Sequence, residues 1–169
     1  MPLIWAKEKV QINNTVQGNL DPAYLISGGS SLIEEAMKIK EAFEYANSKK
    51  QKVHFIGLVS NGGVHSHINH LFELIQISNK FNCKSFIHAF TDGRDVNHKS
   101  AINDIEKLEK FISDKNCEVA SVIGRYYSMD RDNRWERIKL AYDLIVRGPV
   151  SYTHLRAHET GRNVVSRLM

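Results

Sequence analysis

Cysteine is scarce in this chain. Cys83 and Cys117 are its only two, too few for a disulfide framework and too far from a CxxC or Cys/His spacing for a zinc site. Both read as reduced structural thiols. No stretch reaches the roughly 18 to 20 unbroken apolar residues of a membrane-spanning helix. The N-terminus, Met1-Pro2-Leu3-Ile4-Trp5-Ala6-Lys7-Glu8, lacks the basic-then-apolar order of a secretion signal. These absences argue against a secreted scaffold and a membrane partner, and make the cytosol the expected compartment. Excess charge is also missing where it would matter. The formal charge is +4, but from Arg147 onward Arg147, Arg156, Arg162 and Arg167 face a single acid, Glu159. The rest is close to neutral, which does not support a nucleic-acid footprint.

The hydrophobic content of 42% over 169 residues suffices for one core. Its pattern alternates. Lys52–Val59 is a short apolar run ending at Ser60-Asn61-Gly62-Gly63; Ser85–Phe90 is a second, ending at Asp92-Gly93-Arg94-Asp95; Val119–Ile123 is a third, ending at Gly124-Arg125. Each is strand chemistry followed by a turn. Helical periods follow them: Ile68, Leu71, Phe72 and Ile75; Ile102, Ile105, Leu108 and Phe111; Trp135, Ile138, Ala141 and Ile145. An earlier helix is predicted over Ser31–Ser48, with Leu32, Ala36, Ile39 and Phe43 on one face. The expected fold is α/β, a parallel or mostly parallel sheet with helices on both faces. Ligands of such sheets sit at the carboxyl ends of the strands, where all three polar loops emerge. Residues 1–30 carry turn signals without a core pattern. After Gly148-Pro149 the alternation stops, and the basic tail 149–169 is expected to be read-through sequence foreign to the fold.

The loops hold the candidate chemistry. His65 and His67 follow Gly62-Gly63 just before a helix. Without a third ligand nearby they read as hydrogen-bonding groups rather than a metal pair, with His65 near a bound anion and His67 and His70 on the helix surface. Arg94 can grip a carboxylate or phosphate through two parallel hydrogen bonds, and Asp95 beside it can accept a proton from a hydroxyl. By itself, Asp92–Asp95 also reads as an Asp/Gly turn with a solvated ion pair. Arg125 and Arg131 flank a helix start near a strand end, whereas Arg134, Glu136 and Arg137 read as a self-neutralising helix face. His65, Arg94, Asp95, Arg125 and Arg131 together describe a pocket for a small polyanion.

Three runs carry a family resemblance: Gly57–His67 (GLVSNGGVHSH), His88–Asp95 (HAFTDGRD) and Gly124–Arg137 (GRYYSMDRDNRWER). In that order they resemble the substrate-binding insert of cofactor-independent phosphoglycerate mutases, firmly over 52–146 and more weakly over 9–51. The resemblance implies a partial phosphoglycerate-binding domain, 1–148, of a two-domain, monomeric enzyme that interconverts 3-phosphoglycerate and 2-phosphoglycerate without 2,3-bisphosphoglycerate. It implies a phosphoserine carried by a separate domain with two manganese ions, whose ligands are not in this chain. It also implies substrate contacts from His65, Arg94, Asp95, Arg125 and Arg131, with Asp95 assisting proton transfer at the glycerate hydroxyl. Asn61 stands where the family has aspartate, which removes a charge but keeps the turn. No nucleophile loop or metal-ligand cluster of the family is present, so this chain alone is expected to be inactive. The alternative is a free-standing α/β domain that binds phosphorylated metabolites without chemistry.

Overall fold

The computed structural model describes residues 29–148 and 165–166. Helix α1 spans Gly29–Ser48, and its i,i+4 pair Lys40–Glu44 closes to 3.1 Å. Its predicted apolar stripe is only partly covered: Phe43 is buried, Ile39 half-buried and Ala36 exposed. The Ser48 hydroxyl caps its last turn on the Tyr45 carbonyl at 2.8 Å.

From Lys50 onward the chain forms a second compact unit. It runs β1 (Val53–Val59), α2 (Ile68–Lys80), β2 (Ser85–Thr91), α3 (Ala101–Ile112), β3 (Cys117–Gly124), a single turn α4 (Arg125–Ser128), α5 (Trp135–Arg147) and the two-residue β4 (Val165–Ser166). The sheet order is β1-β2-β3-β4. The first three strands are parallel, as the alternation of strand and helix predicts, and β4 pairs antiparallel with β3. Apart from those two residues, the tail 149–169 and the turn-rich 1–28 lie outside the described residues.

Burial follows from how the strands divide their side chains. Val59, Ile87, Ala89, Cys117, Val119 and Val122 share one core with Ile68 and Ile75 of α2 and Leu108 and Ile112 of α3. Strict alternation would put Val119 and Val122 on opposite faces. They share one because the register shifts between Ile87 and His88: Ile87 pairs with Val119 but His88 with Ser121, so Ala120 has no partner across β2. The bulge also sends Ile123 to the other face, where it packs with Ala141 and Leu144 of α5 and with Phe90 and Tyr127. Helices therefore cover both faces. Cys83 and Cys117 are both buried, and burial pushes the Cys117 thiol up to about 11, the behaviour of an inert core thiol. No described helix is long and apolar enough to cross a membrane.

The strand pairing also decides which residues meet at the sheet end. Val59 is level with Thr91, and Thr91 with Gly124. The next residues, Ser60, Asp92 and Arg125, therefore leave the sheet side by side.

Candidate functional site

Ser60, Asp92 and Arg125 are 1%, 1% and 7% exposed, and they bond to one another. The Ser60 hydroxyl donates to Asp92 Oδ2 at 2.8 Å, and Arg125 Nη1 donates to Asp92 Oδ1 at 3.0 Å. Asp92 Oδ1 also accepts the backbone N–H groups of Gly93, Arg94 and Asp95 at 2.7, 3.0 and 3.2 Å. Burial alone would raise the pKa of this carboxyl. The Arg94 amide, the Ser60 hydroxyl, the Arg125 guanidinium and the Asp95 amide overcome it and hold Asp92 well below the usual carboxylate range. It is a fixed anion. The solvated Asp/Gly turn considered from the sequence is thus replaced by a buried ionic centre.

Arg125 Nη1 reaches a second carboxylate, Asp95 Oδ2, at 2.5 Å. Burial works against the charge of Arg125, but its bonds to Asp95 and Asp92 more than compensate and raise its pKa above the ordinary guanidinium value. A buried cation sharing one nitrogen between two carboxylates is held in a single orientation. His65 Nε2 lies 4.0 Å from Asp95 Oδ2, which places the first loop beside the second. Gly62 makes that approach feasible. A Cβ at Gly62 would stand 3.0 Å from Val96 Cγ1 and 3.5 Å from Asp95 Cβ, so the two loops touch where a methyl group would force Val96 to give by a few tenths of an ångström. His67 does not face the site. It is the N-cap of α2 and accepts the Asn69 N–H on Nδ1, which satisfies one of the unpaired amides of the helix's first turn.

On the β3 side a cavity of about 170 Å³ is lined by Arg94, Arg125, Tyr126, Met129, Asp130, Arg131, Asp132 and Arg137. Four guanidinium groups face two carboxylates, so the lining favours an anion. The loop bearing Arg131 is organised by Asp130, whose Oδ2 accepts the N–H groups of Asp132 at 3.1 Å and Arg134 at 2.8 Å. The Arg134 amide, followed by the Arg137 guanidinium, lowers the pKa of Asp130. Arg137 donates to Asp130 Oδ1 at 3.0 Å and stacks over the Tyr126 ring at 4.0 Å. Among the five residues singled out from the sequence, Arg94, Arg125 and Arg131 line the cavity, while Asp95 is bonded to Arg125 and His65 stands beside Asp95, neither of them lining it. The sequence reading misses Asp92, Ser60 and Asp130. The signal for the first two is that each immediately follows a strand. Arg137, read as a surface or packing residue, packs on Tyr126 and also lines the cavity.

The family model described as "BPG-independent PGAM N-terminus (iPGM_N)" matches residues 29–166. A 2,3-bisphosphoglycerate-independent phosphoglycerate mutase of Flavobacterium psychrophilum is 57% identical over 117 residues, covering 69% of this chain and 23% of that protein. The enzyme of the same name from Flavobacterium johnsoniae is 55% identical over 109 residues, covering 64% of this chain and 22% of that protein. Among solved structures, Leishmania mexicana phosphoglycerate mutase, crystallised at low cobalt concentration, aligns with a TM-score of 0.60 at 31% identity, over 71% of this chain and 25% of its own. The chain spans less than a quarter of the length of the two Flavobacterium enzymes.

Proposed function

The chain belongs to the BPG-independent phosphoglycerate mutase family, matching the model of its N-terminal domain, and on that premise we propose that it is the part of such an enzyme that holds the phosphoglycerate. The observation that carries this reading is the cavity at the carboxyl ends of the strands, where Arg94, Arg125 and Arg131 converge beside Asp95. A phosphoglycerate presents a carboxylate and a phosphate, each able to take two parallel hydrogen bonds from a guanidinium. Arg94 and Arg131 are exposed at the mouth and grip these groups as they arrive, whereas Arg125 supplies charge from the floor. Asp95 accepts the proton of the glycerate hydroxyl, and His65 stands on its far side near the incoming phosphoryl group.

In the complete enzyme, 3-phosphoglycerate and 2-phosphoglycerate interconvert through a phosphoserine on a domain with two manganese ions. The described residues of this chain do not fit those ions. The cavity presents guanidinium nitrogens, which repel a cation, and no three described His, Cys, Asp or Glu side chains meet so as to hold one. The chain's part is to hold and orient the glycerate. Alone it binds without turnover, and within the whole protein it works as part of a cytosolic, monomeric glycolytic enzyme.

Calorimetric titration of the chain with 3-phosphoglycerate tests this. Weak saturable binding that Arg94→Ala abolishes without changing the circular dichroism spectrum is expected. No binding by the parent, or equal affinity in parent and variant, would reject the reading.

A further inference from the structure

We propose that Asp92 is a positioning residue of this site, acting through Arg125 to set the direction of the guanidinium before a ligand arrives. This rests on the phosphoglycerate-holding reading above and adds a residue to it. Asp92 does not line the cavity; Arg125 does. Any influence of Asp92 on a ligand must therefore pass through what it touches.

The contacts form a relay across three strands. The Gly62 N–H donates to Ser60 Oγ at 3.1 Å, and Ser60 in turn donates to Asp92 Oδ2 at 2.8 Å, fixing the carboxylate from the β1 side. Three consecutive loop amides fix its other oxygen. With both oxygens engaged, the carboxylate cannot turn. Its remaining contact is Arg125 Nη1 at 3.0 Å, so an immobile anion points one nitrogen of the fork inward. Because a guanidinium is planar and rigid, fixing Nη1 together with the buried stem leaves little freedom for the other nitrogens. The same Nη1 holds Asp95 Oδ2, so Asp92 also sets where Asp95 stands. A preorganised donor of this kind raises affinity by removing the ordering cost from the binding step.

A merely structural Asp92 and a positioning Asp92 differ in a double-variant cycle. The 169-residue chain is titrated with 3-phosphoglycerate as parent, Asp92→Asn, Arg125→Lys and the double variant. Asp92→Asn is expected to weaken binding about tenfold in the parent background and to have no further effect in Arg125→Lys, where the fork is already gone. Arginine-selective nitrogen NMR without ligand is expected to show slowed, resolved Arg125 Nη protons in the parent and their loss in Asp92→Asn. If the parent does not bind, the holding reading fails and this inference with it. If the parent binds but Asp92→Asn costs the same in both backgrounds, or leaves the Arg125 signal unchanged, only this inference fails. Should Arg125→Lys bind too weakly to titrate, the NMR comparison decides. If Asp92→Asn does not fold, Asp92→Ser replaces it; loss of fold in both overturns the proposal, because Asp92 is then purely structural.

Discussion

Ser60 at the end of β1 and Asp92 at the end of β2, thirty-two positions apart in the chain, are joined by a buried hydrogen bond of 2.8 Å. The hydroxyl is a donor that Asp92 Oδ2 needs. In Ser60→Ala that oxygen keeps its charge and its burial but loses this partner. An unsatisfied buried acceptor costs about 1–3 kcal/mol. Urea denaturation should show a lower midpoint with an unchanged slope. A midpoint equal to that of the parent would mean that water replaces the hydroxyl and that the bond contributes nothing.

A second histidine pair, in strands β1 and β2 rather than among the residues that line the cavity, should contribute to the acid side of stability. His54 Nδ1 and His88 Nε2 are 3.0 Å apart, and His88 Nδ1 is 2.8 Å from Ser121 Oγ. One proton fits between the two rings. Burial, followed by the nearby charge of Lys52, lowers the pKa of His54 from its ordinary 6.5. The unfolded chain therefore takes up this proton at a higher pH than the folded chain. Stability contributed by neutral His54 is present above about pH 6.5 and is lost as the pH falls through the lower folded value. Thermal melts of the parent between pH 7 and pH 5 should show declining stability, and His54→Gln should flatten that decline. Parallel declines in the two proteins would assign the effect to other groups.

Arg131 and Arg134 are three positions apart and both exposed, yet they should behave differently. Arg131 lines the cavity; Arg134 does not, and contributes its backbone N–H to Asp130 Oδ2 at 2.8 Å. Removing a charged hydrogen-bond donor from a bound anion costs roughly 1.5–3 kcal/mol, which is at least about tenfold in affinity. Arg131→Ala should lose that much affinity for 3-phosphoglycerate by calorimetry. Arg134→Ala keeps the amide and should stay within about twofold of the parent. If both arginines weaken binding alike, the anion is held by the general field of the loop rather than by a defined contact.

How much of this is legible in the sequence depends on whether a feature is local. The three parallel strands and their helices follow from apolar runs such as Lys52–Val59 and from 3.6-residue periods such as Ile68, Leu71 and Ile75, which need no knowledge of distant residues. The convergence of Arg94, Arg125 and Arg131 at one sheet end follows from strand direction alone. The burial of Asp92 does not, because an Asp/Gly turn looks the same whether solvated or covered. Its environment arises from the level alignment of Val59, Thr91 and Gly124, a relation among strands. The bulge at Ala120 is likewise invisible in a short apolar run, although it decides that Val122 joins the first core and Ile123 the second. Arg137 sits among acids that would neutralise any exposed helix face, so its place over Tyr126 is set by packing rather than by spacing.

The contact between the first two loops provides the last prediction. A methyl group at position 62 would come within 3.0 Å of Val96 Cγ1 and 3.3 Å of Ser60 Oγ, closer than most packed side chains stand. In Gly62→Ala the two loops must separate by a few tenths of an ångström, and the Ser60 hydroxyl that anchors Asp92 lies on the moving side. Overpacking of this kind costs about 1–3 kcal/mol, and affinity for 3-phosphoglycerate should fall along with stability. Val96→Ala removes the atom at 3.0 Å while leaving Ser60, Asp92 and Asp95 in place. Combined with Gly62→Ala it should recover most of both losses, giving the non-additivity of residues in direct contact. Additive losses in the double variant would show that the strain of Gly62→Ala falls on Ser60 instead, so that the Asp92 anchor rather than the Val96 contact sets the spacing of the loops.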